Sequence, residues 1–83
     1  MLSNSEISYL VGVLHSAPPR IIGGKRAETK LIHIFKNDSV WINLSGTDHQ
    51  LFGKFVKRHA GIILNGASLK FSGTDNRGNG KYL

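Results

Sequence analysis

The sequence predicts a small all-β protein, a five-stranded barrel with one short α-helix between its third and fourth strands. Three observations lead there. In Val40-Trp41-Ile42-Asn43-Leu44-Ser45 the aliphatic residues fall at every second position, the period of a strand with one buried face. Ile7 to Leu14 and Ile62 to Phe71 are rich in β-branched and apolar residues, as strands are. One stretch, opening at Thr47, reads as a helix.

Taken in order, Met1 to Ser5 is polar and loose. Ile7 to Leu14 is apolar on both faces, so it reads as a strand covered on both sides for part of its length, with Gly12 marking a bend. Pro18-Pro19 cannot continue a ladder and ends it. Ala17 to Glu28 combines turn residues with Arg20, Lys25 and Arg26, which makes a basic loop or loosely ordered hairpin suited to touching phosphate. Gly23-Gly24-Lys25 is not a phosphate-binding loop of the Walker type. The position five before Gly24 is Pro19 rather than glycine, and Lys25 is followed by Arg26 rather than Ser or Thr.

Lys30 to Gly46 reads as two strands folded back on each other at Asn37-Asp38. The second strand points Val40, Ile42 and Leu44 into the core and Trp41, Asn43 and Ser45 outward. The register of the first strand stays open: either Ile32 and Ile34 or His33 and Phe35 lie beside Trp41. An outward tryptophan in a basic protein is a base-stacking candidate, and equally a residue that packs under a loop or against another subunit.

Thr47 with Gln50 makes a capping box, and Leu51, Phe52, Phe55 and Val56 form a narrow apolar stripe. Lys57, Arg58 and His59 complement the dipole of the last turn, and Gly61 caps it. Lys54, Lys57 and Arg58 read as a solvated outer face, with a second nucleic-acid contact as the alternative. In Ile62 to Phe71, Asn65-Gly66 is either a hairpin turn or a bend in one long strand. Ser72 to Gly80 is a mobile loop without a hydrophobic residue, and Lys81-Tyr82-Leu83 begins a last strand.

Eleven Lys and Arg against five Asp and Glu give a formal charge of +6, a strong bias for 83 residues, and it points to a polyanion. The length allows one domain, residues 1–83, with a thin core that oligomerisation would help. There is no cysteine, no basic leader precedes the N-terminal apolar run, and that run is too short to cross a bilayer. The expectation is a cytoplasmic protein without membrane attachment. The five carboxylates are scattered, and the four histidines lack metal-ligand spacing. The sequence therefore predicts neither an enzyme nor a cofactor or metal site.

The order of elements is that of an OB barrel. Leu10-Val11-Gly12-Val13-Leu14 followed by Ala17-Pro18 and Arg20, Trp41 before Gly46, and Ile62-Ile63-Leu64-Asn65-Gly66 after the helix resemble bacterial single-stranded DNA-binding proteins and the related primosomal replication protein. The resemblance implies that Asn65-Gly66 bends the fourth strand and that Ser72 to Gly80 lies along bound DNA. It also implies that Trp41 stacks on a base and that Phe71 and Tyr82 flank the last loop as further aromatics. Trp41 stands closer to its following glycine than in that family, the last strand is short, and the acidic tail by which the family recruits partners is not seen after Leu83. That recruiting role is not carried over.

The function expected is non-sequence-specific binding of single-stranded DNA in replication or recombination. Arg20, Lys25, Arg26, Lys30, Lys70, Arg77 and Lys81 would hold the backbone, and Trp41, with Asn43 beside it, Phe71 and Tyr82 would meet bases. A homodimer or homotetramer is expected, because the short strand at Lys81 leaves an edge for a partner subunit. The alternatives are an RNA-binding small barrel and a protein-interaction subunit whose Trp41 face is an interface.

Overall fold

Ser3 opens a helix, and with it the all-β expectation fails. Its hydroxyl accepts the Glu6 amide at 3.2 Å while the Glu6 carboxylate accepts the Ser3 amide at 2.8 Å, a reciprocal capping box. The computed structural model describes all 83 residues, and in it α1 runs Asn4–Ser16. Leu10 and Leu14 are fully buried, with Ile7 and Val11 packed beside them, the three- and four-residue spacing of a helical stripe. The run read as a strand is therefore this helix. Pro18 and Pro19 end it as they would have ended a strand.

A two-residue turn follows. β1 (Ile21–Ile22) pairs with β2 (Lys25–Arg26) across Gly23 and Gly24, whose φ angles of +58° and +79° suit the turn type that matches strand twist. Every residue from Arg20 to Arg26 is exposed, so the basic hairpin stands clear of the core.

The predicted central hairpin does not form. β3 (Thr29–Lys30) passes directly into a helical turn, α2 (Leu31–Ile34), and α3 (Ser39–Asn43) occupies the stretch read as the tryptophan-bearing strand. The reason is Asp38. Its carboxylate accepts the amides of Val40 at 2.9 Å and Trp41 at 3.1 Å, a helix N-cap in place of a hairpin turn, and it also accepts the Tyr9 hydroxyl of α1 at 2.8 Å. Closing that turn exchanges the predicted facing of Trp41 and Ile42, which are 5 % and 60 % exposed, while Val40 and Leu44 pack against the core and Asn43 and Ser45 face solvent as predicted. Leu31 and Phe35, four residues apart, are the buried pair of the preceding segment.

The predicted helix is present as α4 (Gly46–Arg58), capped by Ser45 rather than Thr47, with Phe52 and Val56 buried. It does not stop at Gly61. His59 joins it to a further turn, α5 (Ala60–Ile63), so Asn65-Gly66 is neither a hairpin turn nor a strand bend but the exit from a helix. β4 (Phe71–Thr74) and β5 (Gly80–Tyr82) complete a three-stranded antiparallel sheet of order β3-β5-β4. The C-terminal strand is thus the central one, paired on both sides, and not an unfinished edge. That removes the open edge as a reason to expect a partner subunit.

The protein is a mixed α/β fold with five helices and two small sheets, and no barrel closes. Nine of the eleven core residues come from the helices and their immediate ends; Leu69 lies in the segment between α5 and β4, and the sheet contributes only Tyr82. No helix is long and apolar enough to cross a membrane.

Candidate functional site

On α4, His49, Gln50, Gly53, Lys54 and Lys57 recur at three- and four-residue spacing, on the side flanking the buried Phe52 and Val56. Facing that stripe are the end of β3, the start of α2 and the loop between β4 and β5. Together they enclose a groove of about 530 Å³. Lys30 and His33 line it from one side, Lys54 and Lys57 from α4, and Arg77, Asn79 and Gly80 from the loop. Four of the groove's residues are Lys or Arg, and none is Asp or Glu. A concave site of one charge sign concentrates counter-ions of the other.

The loop read as mobile is held from within and from both walls. Asp75 accepts the amides of Arg77 at 2.9 Å and Asn79 at 2.8 Å, and the Asn79 side-chain amide at 3.1 Å. Lys30 Nζ lies 2.8 Å from Asp75 Oδ2, the oxygen that also accepts the Asn79 side-chain amide, and Lys57 donates to the Gly78 carbonyl. The Lys30 ammonium and these amide donors hold the Asp75 carboxyl far below the usual carboxylate range. Lys54 and Arg77 make no ion pair. They are the cations left free to meet a ligand.

Trp41 reaches the groove floor but offers no face to it. The rings of His49 and Phe35 stack on the indole with centroids at 3.9 and 4.9 Å, and Phe52 meets it edge-on at 6.1 Å. His49 Nε2 donates to the Trp41 carbonyl at 2.7 Å, which locks the stack and places a proton on that nitrogen. A base cannot stack where two rings already do, so the role implied for Trp41 is withdrawn. Tyr82 is likewise fully buried, in edge contact with Phe71 at 5.7 Å, and burial pushes its phenol up to about 12.

Of the residues singled out by sequence, the groove brings together Lys30, Trp41, Arg77 and Tyr82. The others lie apart. Lys25 and Arg26 are on the exposed hairpin, and Arg20 at its base lines a second cavity of about 720 Å³ with Lys36 and His33. Lys81 pairs with Glu28 at 3.1 Å. Asn43 and Lys70 are exposed, and Phe71 on β4 is 37 % exposed, the one named aromatic with an accessible ring. Sequence reasoning left out His33, His49, Lys54, Lys57 and Asn79. The signal for three of them was present: His49, Lys54 and Lys57 share one face of a helix that was correctly expected.

The pieces that carried the resemblance to single-stranded DNA-binding proteins lie in α1, α3 and α5 and not in strands. Comparison with protein-family models, with curated proteins and with solved structures finds no match to this chain.

Proposed function

We propose that the protein binds single-stranded nucleic acid by its phosphate backbone in the groove between α4 and the β4–β5 loop. The observation that carries this reading is the convergence of Lys30, Lys54, Lys57 and Arg77 on one concavity without a carboxylate in its lining, within a chain of net charge +6. The groove, at about 530 Å³, has the size of a small-ligand site and takes a short run of one phosphate backbone. With Trp41 enclosed, the contact is electrostatic and carries little base information. The exposed hairpin cations Lys25 and Arg26 extend the positive surface beyond the groove.

The test is titration of labelled single-stranded DNA, single-stranded RNA and duplex DNA, read by fluorescence anisotropy at several salt concentrations. Affinity should fall steeply with salt. Replacing Lys54 and Arg77 together by alanine should reduce the log–log slope by about 1.4, since each phosphate contact in a single strand contributes about 0.7. If that variant binds like the parent while Lys25→Ala/Arg26→Ala loses binding, the hairpin and not the groove is the site.

A further inference from the structure

Tyr82 carries a buried hydroxyl that nothing in the protein satisfies. The residue is fully buried on the central strand, it lines the groove, and its Oη has no hydrogen-bond partner. Such a group lowers stability relative to phenylalanine in the same place, because the hydroxyl gives up water and gains no partner. An orphaned donor in a folded protein calls for a reason. The backbone above it is shaped around the hydroxyl: a Cβ on Gly80 would stand 2.8 Å from the Tyr82 oxygen and 3.2 Å from the ring carbon that bears it. Gly80 also lines the groove, between the loop that presents Arg77 and the wall that presents Lys30.

We propose that the Tyr82 hydroxyl is the innermost contact of a discrete phosphate subsite, donating its hydrogen to a non-bridging oxygen of a nucleotide phosphate whose charge is held by Lys54 and Arg77. The inference rests on the nucleic-acid reading of the groove and deepens it. A purely electrostatic groove attracts any polyanion in proportion to charge. A groove with a neutral, directional donor at its floor also recognises a single phosphate group, so inorganic phosphate and nucleoside monophosphates enter it. Gly80, the first residue of β5 and paired with Thr74, covers the hydroxyl, so the phosphate oxygen reaches it only when this end of the β4–β5 pair opens.

The experiment compares the parent, Tyr82→Phe and Lys54→Ala in two readouts. The first is thermal melting with inorganic phosphate, with adenosine monophosphate, or with chloride at matched ionic strength; the second is anisotropy with the labelled oligonucleotide. Without ligand, Tyr82→Phe should melt at or above the parent temperature. Phosphate and the nucleotide should raise the melting temperature of the parent above the chloride control, and should raise that of both variants less. Oligonucleotide affinity of Tyr82→Phe should fall by about tenfold, the value of a hydrogen bond to a charged group, with the salt slope unchanged because no charge is lost. The subsite is overturned if Tyr82→Phe responds to phosphate and oligonucleotide as the parent does, which leaves the groove reading standing. It is also overturned if the variant melts well below the parent, since the hydroxyl then has a structural partner. If no oligonucleotide binds any of the proteins while phosphate still separates parent from Tyr82→Phe, the subsite stands and the nucleic-acid reading falls.

Discussion

Replacing Trp41 with alanine removes the middle ring of the Phe35–Trp41–His49 stack. The indole is 5 % exposed, with His49 and Phe35 stacked on it and Phe52 against its edge. Truncating a buried aromatic to alanine costs about 3–5 kcal/mol. A domain of 83 residues has a total stability of roughly 4–12 kcal/mol, so the substitution removes a large share of it. In a chain of this size each kcal/mol shifts the melting temperature by about 4–8 °C, and a fall of at least about 12 °C is expected. Trp41→Phe keeps a ring between the two neighbours and should lose about 1–2 kcal/mol. Circular dichroism melts and urea titrations of the three proteins measure this, alongside oligonucleotide binding at a temperature where all are folded. Binding per folded molecule should change little. An alanine variant that melts like the parent but no longer binds would mean an exposed, base-stacking indole, and the packing described for α3 would be wrong.

Ser3→Ala removes one half of the capping box on α1 and should cost about 1 kcal/mol, visible as a lower urea midpoint with an unchanged slope. Asp75 has a depressed pKa in the folded protein, so its stabilising contribution is complete above the ordinary carboxylate value of about 3.9 and is lost progressively as pH falls below it. Melting curves between pH 6 and pH 2 should therefore show the parent more stable than Asp75→Asn by a margin that is constant above about pH 4 and narrows steadily toward the acid end. A separation that persists undiminished at the acid end would show that the carboxylate charge is not what holds the loop. Gly80→Ala places a methyl group 2.8 Å from the Tyr82 hydroxyl and should lower the melting temperature, whereas Gly80→Ala combined with Tyr82→Phe should recover part of the loss.

The elements legible from sequence are those whose signals are local. The helix of residues 46–58 announces itself by its cap and by Phe52, Phe55 and Val56 at helical spacing, and the Gly23-Gly24 turn by residues that tolerate positive φ. The surplus of basic residues needs no structure at all. Ser3 and Glu6 were an equally local signal for α1; the apolar density of Ile7 to Leu14 outweighed it, although a stripe at 7, 10, 11 and 14 satisfies the helical period as well.

Trp41 and Tyr82 belong to the other kind. The alternation from Val40 to Ser45 is only six residues long, too short to tell period two from a single helical turn, and the choice was made by the Asp38 carboxylate together with the room for an indole between Phe35 and His49. The last residues became a central strand because Thr29 and Phe71, distant in sequence, both pair with Tyr82. The groove is the same case. Lys30, Lys54, Lys57 and Arg77 come from a strand, a helix and a loop, and no spacing along the chain records that they meet. Local pattern determines which segments can coil and where charge resides; which side chains share a cavity is set by packing between segments, where burial energy overrides a weak local preference.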